Sequence, residues 1–141
     1  MSATILQSAS LALSPRTSKS IWAGRIITGL VLVCMALVVA MKLAGVKVAI
    51  EGTRQLGFSS DIVFPLGVIQ LVAFILYFVP RTSPLGATLW TAYLGGAVAI
   101  NVRMGNPMFT HVLAPVYFAI LIWGGLFLRD ARVRAALGRT R

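Results

Sequence analysis

One histidine, one cysteine and three carboxylates are all that this 141-residue chain offers to acid–base, nucleophilic or metal chemistry. His111 has no companions at ligand spacing, so neither a zinc site nor a haem held by two histidines of one chain can be assembled. Cys34 lies inside an apolar run and lacks a second thiol for a disulfide or a CxxC pair. No Ser/His/Asp set, paired carboxylates or glycine-rich phosphate loop occurs, so no catalytic residue is assigned and no metal is expected. What remains is a group of polar residues between and beside apolar runs: Lys42, Glu51, Arg54, Arg103 and His111. Gathered at one end of a helix bundle, they would form a cationic mouth for a quinone headgroup, an anion or a partner's acidic loop. Kept apart, each long cation snorkels to the interface and Glu51 pairs with Lys47 or Arg54. Both arrangements fit the spacing.

The elements that must position these residues follow from composition. The chain is 58% hydrophobic and 11% charged, against about 25% charged for an average soluble domain. Three acids cannot build the surface of a soluble protein this short, and the chain is too apolar to be disordered. An integral membrane protein is left, in agreement with a mean hydropathy of +0.89. The net charge of +10 is spread between and beyond apolar runs, where it meets lipid headgroups; no nucleic-acid partner is expected.

Four apolar segments are predicted, over residues 22–44, 62–79, 85–102 and 109–128, each close to the roughly 20 residues that span a bilayer. Residues 1–20 read as a loose tail and 131–141 as a basic tail, with 21–130 as the transmembrane domain. Asp130 and Arg134, at i,i+4 spacing, predict that the fourth helix runs on past Arg129. Residues 46–61 are semi-amphipathic and suit a segment lying along the interface. Ser59, Ser60 and Asp61 offer cap oxygens to the second helix. Pro115 should kink the fourth helix near the carbonyl of His111.

With four spans both termini share a side, and that side holds nine of the 13 Lys and Arg residues while the other holds four. The positive-inside rule places the nine in the cytoplasm. The fold expected is an all-α bundle of four antiparallel transmembrane helices. Its helix-packing seam should be the small-residue face of the third helix, Ala87, Thr91, Gly95, Gly96 and Ala99, with Gly124 and Gly125 as partners. Gln70, near the bilayer centre, should bond across helices to Tyr93 or Thr91.

Several blocks resemble the DoxX-like family. They are Leu66-Gly67-Val68-Ile69-Gln70-Leu71, Tyr77-Phe78-Val79-Pro80-Arg81-Thr82, and Tyr93-Leu94-Gly95-Gly96-Ala97-Val98-Ala99 with Val102-Arg103. Trp123 through Arg129, with Asp130 and Arg132, and Met41-Lys42-Leu43 are similar too. The resemblance implies a four-helix, multi-pass protein of the inner (cytoplasmic) membrane. It also implies an accessory subunit to a redox or quinone-linked system without its own redox centre, or an assembly or scaffold protein binding another membrane protein or its own copies; a small transporter is the least expected role, since no acid within the membrane couples ions and four short helices would have to dimerise to make a pathway. A carboxylate is common in the broader family where this chain has Gln70, which weakens any proton or redox role there. No cofactor is expected to be held as a redox centre; a quinone is the one candidate ligand of that kind. Anionic lipids are the expected partners of the cytoplasmic arginines.

Overall fold

The structure, a computed structural model, describes residues 18–137. The expected tail over residues 1–20 falls outside these up to position 17, as do residues 138–141. Among the described residues the elements are helix α1 (Ser18–Leu43), α2 (Lys47–Gln55), a 3-10 turn (Ser60–Ile62), α3 (Val63–Phe78), α4 (Ser83–Arg103), a π-helical turn (Met108–Val112), α5 (Ala114–Arg129) and α6 (Ala131–Leu137). No strand occurs among them.

Four stretches are long and apolar enough to cross a membrane: Lys19–Leu43, Ser60–Phe78, Ser83–Arg103 and Met108–Arg129. All four lie where the hydropathy of the sequence puts them. α1, at 26 residues, is about 39 Å long, more than the roughly 30 Å of hydrocarbon it must cross. The amphipathic stretch folds as α2, whose Thr53 is buried while Lys47, Glu51 and Arg54 are exposed. No side-chain oxygen caps the 3-10 turn or α3. The turn itself carries the chain into α3, so the cap expected from Ser59, Ser60 or Asp61 is not made.

Each long helix packs on two others, in the ring order α1, α3, α4, α5 and back to α1. Val31, Met35 and Val39 of α1, Ala73 and Tyr77 of α3, Ala87 and Trp90 of α4 and Ile122 and Leu126 of α5 fill the centre, joined by Val133 of α6. The outer faces are apolar too, with Ile26, Leu30, Val33, Ile75 and Ile120 all exposed. A core of ordinary size inside a greasy exterior is what a lipid-solvated bundle requires.

Close approach in lipid depends on small side chains, and the sequence places them correctly only in part. Of the expected seam only Ala87 is in the core, with no exposure. Thr91, Gly95, Gly96 and Ala99 are exposed, and a methyl group added at Gly95 or Gly96 would meet nothing within 4 Å. The close contacts are elsewhere. A Cβ on Gly86 would lie 2.2 Å from the Tyr77 nitrogen, joining α4 to α3. A Cβ on Gly24 would lie 2.7 Å from Cβ of Leu128, and one on Gly125 2.8 Å from Oγ1 of Thr28, joining α1 to α5. A four-residue ladder is a shared face only if a neighbour covers its whole length, and beyond Ala87 these four positions are exposed.

The fourth span is interrupted just before Pro115, next to His111. Its backbone widens into the π turn, breaks at Leu113, and restarts as α5 with Pro115 in the first turn, where a missing N–H costs nothing. That span does not run on past Arg129. Asp130 is extended, with φ −110° and ψ 112°, and separates α5 from α6. Its partner is Arg132, with Nη2 3.0 Å from Oδ2, whereas Nη1 of Arg134 donates to the carbonyls of Phe127 and Leu128 at 2.9 and 3.1 Å. Arg134 thus satisfies the last carbonyls of α5 instead of reaching Asp130.

Candidate functional site

Lys42 closes α1 and the sequence places it at the headgroup level beside Arg103. Its surroundings put it deeper. Gly67, in the second turn of α3, packs on Cβ of Lys42, so the lysine lies below the end of α3. Its Nζ donates to the hydroxyl of Tyr93 and stands 5.0 Å from the centre of that ring. Tyr93 precedes Arg103 by ten residues of α4, about 15 Å of helix. The ammonium therefore turns into the bundle instead of snorkelling out.

A cavity of about 230 Å³ surrounds this pair, walled by Leu56, Phe58, Leu66, Ala97 and Ile100, with Thr53 of α2 at its edge. Thr53 is held in place by its own helix, Oγ1 donating to the Ala49 carbonyl at 2.8 Å. Among the described residues no carboxylate lies within ion-pair distance of Lys42; the one ion pair there is Arg132–Asp130. The site offers two hydrogen-bond donors in an apolar chamber, and one of them is cationic.

The other members of the expected polar cluster are distributed around this chamber. Glu51, Lys47 and Arg54 line a groove along α2, and Glu51 forms no ion pair with any of them. His111 borders a second cavity of about 500 Å³, with Gln55, Asn101, Asn106 and Thr110. There Asn106 Nδ2 donates to Oδ1 of Asn101 at 2.8 Å, and Nδ2 of Asn101 to the Ala97 carbonyl at 2.8 Å. These bonds pin the turn after α4, where Gly105 takes a φ of +67° that a side chain would resist. Nδ1 of His111 faces only Thr110 Oγ1, at 2.9 Å. Arg103 borders a third cavity of about 140 Å³ with Gly57, Phe58 and Met104. Leu56 lines all three cavities and stands between Lys42, Arg103 and His111. The five residues border four adjoining cavities or grooves, which share Gly52, Gln55, Leu56, Phe58 and Ile100 among their walls.

Gln70 is 3% exposed and its Oε1 has no hydrogen-bond partner. It bonds to neither of its expected partners. Tyr93 is engaged by Lys42, while Thr91 donates to the Ala87 carbonyl and accepts from Nε1 of Trp123. Trp90 Nε1, one turn from Tyr93, is likewise buried without a partner.

Sequence reasoning missed Tyr93 as the partner of Lys42, grouping the lysine with other charges. The one signal the sequence offered was that the interfacial helix begins only five residues after Lys42, at Lys47, which leaves the lysine little room to reach the surface.

A model of the DoxX-like family matches residues 26–125, which include every wall of the chamber. The chain belongs to the DoxX-like family. No curated protein and no solved structure matches it. Together with the four apolar spans, the match makes this DoxX-like chain a multi-pass membrane protein.

Proposed function

We propose that this DoxX-like protein is an accessory subunit of a quinone-linked redox system, with its four helices antiparallel and both termini in the cytoplasm. The observation that carries the reading is the Lys42–Tyr93 pair: two donors facing an apolar chamber that holds no carboxylate. A quinone carbonyl accepts hydrogen bonds and carries no charge, so it suits such a place better than a metal or a hydrophilic anion. Drug-sized ligands occupy about 300–1,000 Å³. A chamber of about 230 Å³ takes a ring-sized headgroup and leaves an isoprenoid tail to the lipid. The quinone would supply two-electron chemistry to a partner; this chain binds and orients the ring and excludes water from it. The inner membrane as location, and the charge excess of nine to four that orients the chain there, belong to the same reading.

Photo-crosslinking with an azido-quinone in native membranes tests the site. Lys42→Met keeps the bulk and loses the charged donor, which is worth about 1.5–3 kcal/mol, so labelling should fall roughly ten-fold or more. Tyr93→Phe should give a smaller loss. Undiminished labelling of Lys42→Met at unchanged thermal stability would remove the quinone from this chamber.

The exposed small face of α4 favours a second reading, a scaffold protein. Gly95 and Gly96 leave open space for another transmembrane helix, from a partner or a second copy. Gly95→Leu would then abolish co-purification of that helix and leave quinone labelling intact.

A further inference from the structure

The opposite end of the bundle, where α1 begins and α5 ends, contains a cavity of about 310 Å³ lined by Arg25, Pro80, Ser83, Arg129, Asp130 and Arg132. Three guanidinium groups and one carboxylate meet there. Asp130 is fully engaged by Arg132: Oδ1 accepts from its backbone N–H at 2.9 Å and its Nε at 3.2 Å, and Oδ2 from Nη2 at 3.0 Å. Nη2 of Arg132 also donates to the Pro80 carbonyl at 2.8 Å, which fixes this ion pair against the α3–α4 turn. Ser83 is spent on the same carbonyl, at 3.1 Å.

Arg25 and Arg129 are left with no carboxylate, and none of this chain's three acids remains to serve them. Glu51 and Asp61 stand at the other end of the bundle and Asp130 is taken. Arg129 is half-buried beneath the turn, its Cζ 5.2 Å from the centre of the Tyr77 ring and its Nη2 3.4 Å from the Tyr77 carbonyl. Its Nε is buried and has no hydrogen-bond partner. A guanidinium held this way lacks a counter-charge, its Nε lacks an acceptor, and a planar array of N–H donors matches the oxygens of a phosphate. The cavity also lies where headgroups are: at the level where the spans Lys19–Leu43 and Met108–Arg129 begin and end, with Trp22 60% exposed one turn before Arg25.

We propose that this cavity is a binding site for the phosphate of an anionic phospholipid, held between Arg25 and Arg129, with the Arg132–Asp130 pair as its fixed wall. The headgroup supplies the missing acceptor to Arg129 and the missing charge to both arginines, and its acyl chains lie on the exposed flank of α1 around Ile26 and Leu30. The site is independent of the Lys42 chamber and of any quinone; it rests only on the chain's crossing a membrane.

The test uses the full-length protein in a neutral maltoside detergent, with native mass spectrometry and thermal unfolding as readouts. Phosphatidylglycerol, phosphatidylcholine and inorganic phosphate are added in separate arms. The expected result is retention of one phosphatidylglycerol per chain with a raised Tm, weaker retention of phosphatidylcholine, and no effect of inorganic phosphate at the same concentration. Arg25→Gln and Arg129→Gln should each weaken phosphatidylglycerol binding about five-fold. Arg81→Gln, outside the cavity, should not. Should Arg129→Gln fail to fold, the exposed Arg25 carries the comparison alone. Equal retention of the two lipids, a Tm rise with inorganic phosphate as large as with lipid, or binding indifferent to Arg25→Gln would each overturn the proposal.

Discussion

Ten residues separate Gly86 from Gly96 on α4, and their surroundings have little in common. A methyl group on Gly86 would run into the backbone of Tyr77 at 2.2 Å, while one on Gly96 would meet nothing. Around Gly86 the core residues Tyr77, Ala87, Ile122 and Leu126 are closed to solvent, and the Tyr77 hydroxyl donates to the Ile122 carbonyl at 3.0 Å. Gly96 itself lines the chamber of Lys42, Thr53 and Tyr93. The tightest backbone contacts lie near the chain termini, beside the one arginine-lined cavity there, and most of the open space lies at the far end. Close contact and open space conflict in a short bundle, because a chamber is packing forgone.

Substitutions at paired positions test this division. The largest effect should come from Gly86→Ala, which must push α3 and α4 apart because its obstacle is backbone. A loss of about 3 kcal/mol or more is expected in detergent unfolding, and a loss below about 1 kcal/mol would mean the helices are not clamped there. Asp130→Ala comes next. It removes both the ion pair with Arg132 and the acceptor for the N–H in the first turn of α6, at a cost of about 1 kcal/mol.

The same carboxyl gives a pH test. The Arg132 side chain beside it, hydrogen-bonded and cationic, holds the Asp130 carboxyl below its ordinary value. A depressed folded value means the stabilisation is complete above about pH 4 and is lost as pH falls through the folded value. The wild type should therefore lose its advantage over Asp130→Ala below about pH 4; a difference that persisted at pH 2 would show that the pairing does not depend on ionisation.

The smallest effects belong to the open end. Glu51→Ala should change stability by less than about 0.5 kcal/mol, and its coupling to Arg103→Ala should be indistinguishable from zero, since the two groups face different cavities. Gly96→Ala should cost nothing or stabilise by up to about 1 kcal/mol through lost unfolded-state freedom. A large loss at either position would erase the contrast between the ends.

How much of this was legible beforehand depended on the range of the interaction. The spans are written in local hydropathy, and all four are found where the residues put them. The family blocks, Tyr93 through Ala99 above all, were equally visible, and the match over residues 26–125 contains them except for the part of the last block beyond Gly125. Relations between helices were not. Nothing in α4 alone distinguishes Gly86, which α3 covers, from Gly95, which no helix covers; that depends on the angle at which the helices cross. Lys42 was read as a rim charge because a sequence gives each helix a length but not a depth relative to its neighbours. Arg134 was paired with Asp130 by helical spacing, yet one extended residue between α5 and α6 cancels that spacing and gives Asp130 to Arg132.

The contact at Gly86 has a mechanical consequence. A rod held rigidly near one tip is a lever, and Gly86 sits in the first turn of a 21-residue helix. Gly96 is about 15 Å along that rod, so a tilt of roughly 5° about the glycine sweeps it sideways by about 1.3 Å. Displacement at the pivot itself is negligible, and none of the tightly fitted atoms around Tyr77 has to move. Any such sweep would load the two side-chain bonds that tie α4 to its neighbours beyond the pivot, Lys42 to Tyr93 from α1 and Trp123 to Thr91 from α5.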